Sequence, residues 1–377
     1  MVALATVFDA AKRELFEEAG AVDYDVKPLC DYWIYAELEG KVLTGNGQVY
    51  FANVYSLTDI PSESEMEMIC LFDAPPKELT YLTTYQLLPI KRTTELLKDL
   101  FGVDISQGTI VASGAEAYGR LAETEGRVKE EVAASEVAGF DETGMRVMGK
   151  NHWLHAASTE ACTVYSIHPK RGKEAMDAMG ILPRFGGTAI HDHLRCYYQY
   201  LCAHGECNQH HLRQLQYIGE DLGCGWAMEM LRLLLRVKKH VDLTRLFNEE
   251  ASSLGQEDIE GHERAYREIL EEAQEGMEKA PLESQRMIRR LAQYEQEALL
   301  FMQDFSVPFT NNLTERDLRM PKAKQKISGG FRTRKGADIF ARVRGFVSTV
   351  KKRGMNVWDG MAAVFKGEAL GFLYPEP

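Results

Sequence analysis

Residues 7–19, VFDAAKRELFEEA, have helical composition and stop at Gly20, a residue suited to the left-handed position that closes a helix. Aromatic and β-branched stretches follow at 26–38 and 48–57, and the glycines of GNG at 45–47 predict a turn between two strands. That pattern ends in the DAPP turn, near residues 80–84. Helical periodicity takes over from 85 to 134 and closes in a long amphipathic helix. At Val137 the rhythm changes. Residues 135–141, 153–159 and 162–168 read as short strands, and TGMRVMGKN at 143–151 carries hairpin chemistry. A short helix (KEAMDAMG), an apolar strand at 187–192 and another helix come next. Three antiparallel strands, a helix, a parallel strand and a helix predict an α/β (α+β) mixed sheet with helices on its faces. From about 211 to 305 the chain reads as helical throughout, and a basic segment with helical stretches follows.

A length of 377 residues favours two folded units. With 45% hydrophobic and 27% charged residues, the composition excludes the disordered and collagen-like classes. A net charge of −12 argues against a surface that grips nucleic acid everywhere, but the charge is uneven. Residues 1–84 hold five basic against fifteen acidic side chains, whereas 315–353 hold thirteen Lys/Arg against Glu315, Asp317 and Asp338. The two ends therefore look like separate folding units of separate origin. Seven cysteines without regular spacing do not make a disulfide framework. There is no basic n-region at the start and no apolar run of about eighteen residues. A soluble, cytoplasmic protein with no membrane partner is expected.

Two acids end apolar strands in this reading, Asp141 in GFDETG and Asp192 in TAIHDH. Carboxylates on neighbouring strands offer hard oxygen ligands to a divalent cation. Glu315, at the predicted start of a helix in FTNNLTERDLRMPK, supplies a third. Three gathered acids repel one another unless a cation sits among them. Each also has a plainer reading: Asp141 as a turn residue, Asp192 as a helix N-cap and Glu315 as a first-turn acid. Cys196, Cys202, His204, Cys207, His210 and His211 crowd into sixteen residues and invite a zinc reading, although the spacing is not that of the common paired-cysteine finger.

The blocks YQLLPIKRTTELLKDLFGVDISQGTI, FDETGMRVMGKNHWLHAAST, HPKRGKEAMDAMGILPRFGGTAIHD, CNQHHLRQL and VPFTNNLTERDLRMPKAKQKISGGFRT resemble, in that order, bacterial transposases of the insertion-sequence-66 family. The resemblance runs from about 85 to 365. It implies a helical lead-in at 85–134 and an RNase H-like DDE catalytic domain at 135–365, with a helical insertion at about 211–305. Block by block, the catalytic, metal-holding acids fall on Asp141, Asp192 and Glu315, with two Mg²⁺ or Mn²⁺ ions between them. The implied activity is DNA cleavage and strand transfer in transposition, on transposon ends and target DNA, by a homo-oligomer assembled on DNA. Arg316, Arg319, Lys322, Lys324, Lys326, Arg332, Arg334 and Lys335 would neutralise phosphates beside the site. Within CNQHHLRQL, His210 or Arg213 would touch DNA phosphate or order the second Asp. No counterpart of that family's end-recognising helix-turn-helix and cysteine-rich region is expected within these residues.

Near the start, Glu14, Glu17 and Glu18 share one helix face. RELFEEAG, with Arg13 ahead of them, resembles the second half of the Nudix box, whose glutamates hold Mg²⁺ during pyrophosphate hydrolysis. Ala5 stands where that pattern wants a further acid, so a truncated Nudix fragment over 1–82 is expected. Three functions compete: a DDE transposase, a Nudix-type pyrophosphohydrolase acting on nucleoside-diphosphate-linked substrates, and an inactive fusion with residual DNA binding.

Overall fold

The computed structural model describes residues 7–38, 41–58 and 76–375. They form two compact units, one of 1–75 with 95–105 and one of 76–94 with 106–377.

The first unit holds helix α1 (Val7–Ala19) and strands β1 (Ala21–Leu38) and β2 (Lys41–Leu57). Gly20, at φ 63°, ends α1 in the left-handed conformation that glycine adopts without strain. The strands pair antiparallel from Ala21 opposite Leu57 to Leu38 opposite Lys41. The sequence pattern misplaces the turn between them. Gly45, Asn46 and Gly47 are extended residues of β2 opposite Ile34, Trp33 and Tyr32. Glycine accepts an extended backbone as readily as a turn, so the GNG signal was not decisive. Arg13, Glu14, Glu17 and Glu18 lie exposed along α1, with Arg13 Nε 3.8 Å from Glu17.

The second unit begins with α2 (Pro76–Thr80), which runs into a wide turn at Tyr81–Tyr85. Helix α3 (Ile90–Phe101) starts in this unit, and its residues from Glu95 onward count with the first; α4 (Gln107–Arg120), whose start is capped by Ser106 accepting a 3.0 Å bond from the Thr109 amide, and α5 (Ala122–Ala133) follow in the second unit. The sheet follows as β3 (Val137–Val147), β4 (Lys150–Ser158), β5 (Thr163–His168), then α6 (Lys173–Met179), β6 (Thr188–His191) and β7 (Ala203–Glu206). Its order is β5-β4-β3-β6-β7, with β3, β4 and β5 antiparallel and β6 and β7 parallel to β3. The β3–β4 hairpin turns at Met148 and Gly149, both at positive φ (52° and 73°), the pair of left-handed residues a two-residue type I′ turn requires.

Helices α7 (Asn208–Glu220), α8 (Gly225–Phe247), α9 (Gln256–Glu275), α10 (Leu282–Gln293) and α11 (Glu295–Gln303) make up the stretch that reads as helical in the sequence. Their apolar faces build one core, which also takes in Ile190 of β6 and Val307 and Phe309 beyond α11. The chain closes with α12 (Asn312–Ser328), α13 (Arg334–Lys352), α14 (Val357–Lys366) and α15 (Ala369–Leu373). Phe140, Ala157 and Val164 of the sheet join Val128, Met176, Val343, Val347 and Val364 of the helices in a second core. Among the described residues, no helix is long and apolar enough to cross a membrane.

Candidate functional site

Strand β3 runs past its parallel partner. The last paired residues are Gly139 and Ile190, and two positions further on stand Asp141 and Asp192. Asp141 thus lies within a strand rather than at its end, because β3 continues to Val147 in the hairpin with β4. Asp192 follows the last residue of β6, as expected. Both acids sit where the β3–β6 ladder opens, a common place for a site in a sheet with parallel strands.

Glu315 reaches this region through α12. Asn311, just before the helix, donates through Nδ2 to the Phe140 carbonyl at 2.9 Å, and its amide lies 3.1 Å from Cys207 Sγ. The helix start packs onto β3 with no room to spare. A Cβ on Gly139 would fall 2.1 Å from Thr314 Oγ1 and 2.3 Å from Asn311 Oδ1. Gly139→Ala is therefore expected to push α12 off the sheet and to destabilise the protein by about 1–3 kcal/mol. Thermal melts check this, and a melting temperature equal to that of the parent would show that the helix start is not held so closely.

Asp141, Glu142, Thr143, Glu315, Leu318, Arg319, Lys322, Ala323 and Lys326 line an open cleft of about 320 Å³. Along α12 the spacing of 315, 319, 322 and 326 is helical, so one face presents the acid and three cations together. The Asp141 carboxyl accepts a 2.7 Å bond from the Glu142 amide, yet it is pushed up to about 7. Burial is the main cause, followed by the charge of Glu142, with Asp192 and Glu315 adding to it. The charges of the other two acids thus reach Asp141, but among the described residues the three carboxylates do not gather within 4.8 Å of one another as Glu315 does with Cys207 and His210.

Arg171 reaches both Asp192 and Glu142. Arg171 donates through Nε to Glu142 Oε1 at 2.7 Å, places Nη2 3.6 Å from Asp192 Oδ2, and lies over the Trp153 ring at 4.8 Å. Buried Glu142 also accepts from Tyr197 Oη at 2.7 Å, and burial with the nearby Asp192 charge raises its pKa. The flanking histidines are tied down as well. His191 Nε2 pairs with His204 Nδ1 at 3.1 Å, and His193 pairs with the buried Glu206 carboxylate, which His211 Nε2 meets at 2.7 Å. Sequence reasoning passed over Glu142 and Arg171. The second acid in FDETG and the arginine of HPKRG were the signals available, but an acid–arginine pair 29 positions apart cannot be read from spacing.

The predicted cations divide into groups. Arg319, Lys322 and Lys326 line the cleft, and Lys322 Nζ also donates to the Gly144 carbonyl at 2.9 Å. Lys324 is instead spent on structure: its ammonium faces the Thr83 and Leu88 carbonyls at 3.4 Å, and burial pulls it down to about 8. Arg316, Arg332, Arg334 and Lys335 are exposed, with Arg334 paired to Asp338 at 2.9 Å. Arg213 is exposed on α7. His210 lies beside Glu315 and Cys207, and one ligand atom from each of these three falls within 4.8 Å of the others.

A family model described as the Transposase IS66 family matches residues 78–339. That stretch is more than half of the chain, and the chain belongs to this transposase family. It is also similar to the uncharacterized protein y4jO of Sinorhizobium fredii (strain NBRC 101917 / NGR234), at 31% identity over 86 residues, 23% of this chain and 25% of that protein. The chain thus matches about a quarter of that relative's length. The family match begins after residue 77 and leaves the helix and hairpin of the first unit outside it.

Proposed function

We propose that the second unit is an RNase H-like DDE transposase core in which Asp141, Asp192 and Glu315 hold two Mg²⁺ or Mn²⁺ ions. The observation that carries this reading is the placement of the acids: Asp141 and Asp192 stand at matching positions past the β3–β6 ladder, and Glu315 of α12 lines one cleft with Asp141. The sheet order, three antiparallel strands continued by two parallel ones, supports the RNase H-like assignment. The donor set suits hard cations, since its ligands are carboxylate oxygens, and a bound cation offsets both the burial and the neighbouring negative charge that raise Asp141.

When bound, such a pair of ions lowers the pKa of an attacking water or DNA 3′-hydroxyl and stabilises the leaving oxygen in an in-line displacement at phosphorus. The protein's own residues do the rest. Arg171, itself held by Glu142, pairs with Asp192, and Asn311 fixes the start of α12. Arg319, Lys322 and Lys326 line the cleft and neutralise DNA phosphates, which positions the duplex without reading its sequence. The partners are then transposon-end and target DNA, with the chain assembling as an oligomer on them. The exposed glutamates of α1 have no support from the family match, so the first unit takes no part in this reading.

Incubation of the purified chain with Mn²⁺, a plasmid and a duplex ending in a free 3′-hydroxyl tests the proposal. Covalent joining of the duplex to the plasmid is the expected result, and absence of both joining and nicking, with intact folding, would overturn it. Replacing Arg319, Lys322 and Lys326 together by Ala is expected to flatten the salt dependence of DNA binding. The slope of log K against log salt should fall by roughly 0.9 for each phosphate that the protein no longer neutralises.

Metal affinity carries a pH signature. Below about 7 the Asp141 carboxyl holds a proton that an incoming ion must displace. Mn²⁺ affinity should therefore weaken as pH falls from 8 to 6, by up to roughly tenfold per unit once below the folded pKa. Calorimetric titration at several pH values checks it, and a flat affinity profile would contradict the shared-acid arrangement.

A further inference from the structure

A second donor cluster lies on the other side of Glu315. Cys207 sits just ahead of α7 and His210 in its first turn, so their three-residue spacing brings both side chains to one end of the helix. Their ligand atoms and a Glu315 oxygen all lie within 4.8 Å of one another, and Cys207 Sγ is 3.9 Å from Glu315 Oε1. His210 Nδ1 is buried and, among the described residues, has no hydrogen-bond partner. An imidazole nitrogen shut away from water and left unpaired is destabilising, and a metal ion is one of the few partners that would satisfy it.

We propose that Cys207, His210 and Glu315 form a binding site for a borderline-soft divalent ion of the zinc class, with a fourth position open to water. The donors choose the ion. One sulfur, one imidazole nitrogen and one carboxylate oxygen are the ligand types of Zn²⁺, whereas Mg²⁺ and Ca²⁺ take oxygen alone. Zinc bonds of about 2.0–2.3 Å hold neighbouring ligands roughly 3.3–3.8 Å apart in a tetrahedral shell, so side-chain adjustments of about 1 Å close the site. On binding, the Cys207 thiol becomes a thiolate and its proton passes to solvent. The site uses an acid that the proposed catalytic centre also needs. If that reading of Asp141, Asp192 and Glu315 holds, a zinc-class ion draws Glu315 toward α7 and opposes the Mg²⁺- or Mn²⁺-dependent reaction.

The test uses the full chain, reduced and metal-free, titrated with Co²⁺ as a spectroscopic stand-in for Zn²⁺. One equivalent should bring up a thiolate-to-cobalt charge-transfer band, and Zn²⁺ should bleach it. Cys207→Ser, whose hydroxyl still accepts from the Asn311 amide, should remove the band, while Cys224→Ser should keep it. His210→Gln should weaken Zn²⁺ binding by more than about tenfold, since the loss of even an outer-shell partner costs that much. No charge-transfer band in the parent protein, or a band that survives Cys207→Ser, would overturn the site. Should the serine variant fail to fold by circular dichroism, the His210→Gln affinity decides: unchanged Zn²⁺ binding overturns the proposal. These readouts need no DNA, so they separate this site from the catalytic reading. Inhibition of strand joining by substoichiometric Zn²⁺, abolished in Cys207→Ser, is the further expected result where joining is observed.

Discussion

Replacing Asp141 by Asn is expected to lower DNA strand joining by on the order of 10³-fold and, in the absence of divalent ions, to make the protein more stable. The activity loss follows from withdrawing one ligand from a pair of ions whose stabilisation of the reacting phosphate amounts to several kcal/mol. The stability gain follows from linkage. The carboxyl is raised from 3.8 to about 7 in the folded state, so the native protein binds that proton more tightly than the unfolded chain does. Stability is therefore lost as pH rises from 3.8 through about 7, and above that the full burden of the buried charge is present. Each pKa unit corresponds to about 1.4 kcal/mol, so the neutral amide should gain on the order of 2–4 kcal/mol at pH 8 and much less at pH 5. Asn also keeps an oxygen to accept the Glu142 amide bond. Thermal melts at the two pH values measure the difference. Equal melting temperatures for parent and variant at pH 8 would mean that Asp141 carries no such burden.

Asp317→Ala is expected to cost about 3–5 kcal/mol, the usual penalty for leaving a buried charge without its partner. Asp317 lies two residues after Glu315 and accepts bonds from Ser158 Oγ at 2.7 Å, Thr163 Oγ1 at 2.8 Å and Lys352 Nζ at 2.7 Å. It thereby fastens α12 to β4, β5 and α13. Burial already lowers the Lys352 pKa, and removal of the carboxylate leaves its ammonium, among the described residues, with the Thr159 and Cys162 carbonyls. The loss should appear as a lower denaturation midpoint with little change in slope. Adding Lys352→Met to Asp317→Ala should recover a large part of it, because the stranded charge is then gone. A double variant no more stable than Asp317→Ala alone would mean that the hydroxyl contacts, not the ion pair, carry the effect.

Much of the sheet was legible because its strands are short and apolar and are broken by turn residues. The hairpin at Met148–Gly149 and the α6 helix ending at Gly180 fall within their predicted stretches. The helical stretch from 208 to 303 was legible from composition and periodicity, since five helices follow one another with short breaks. What local pattern could not supply was register. Asp141 reads as a strand end because the next residues, Glu142 to Gly144, are polar or small. In the fold they continue in β3, paired with His155 to Trp153 of β4. Long-range partners were equally silent: nothing near Gly139 in the chain announces Thr314, and nothing near Lys324 announces the Thr83 carbonyl. In the first unit, a glycine-rich triplet that elsewhere marks a bend is drawn out flat by sixteen matched positions across two strands.

Ile190 belongs to the same apolar cluster as Leu215, Leu234 and Phe301 of the inserted helices, and it stands two residues before Asp192. Excision of 208–303 in search of a minimal enzyme would consequently strip the cover from Ile190, Val307 and Phe309 and leave an oily wall beside an acid. The inserted bundle is thus a buttress for the strand that delivers Asp192, and a shortened chain would need new apolar cover there before it could keep its shape.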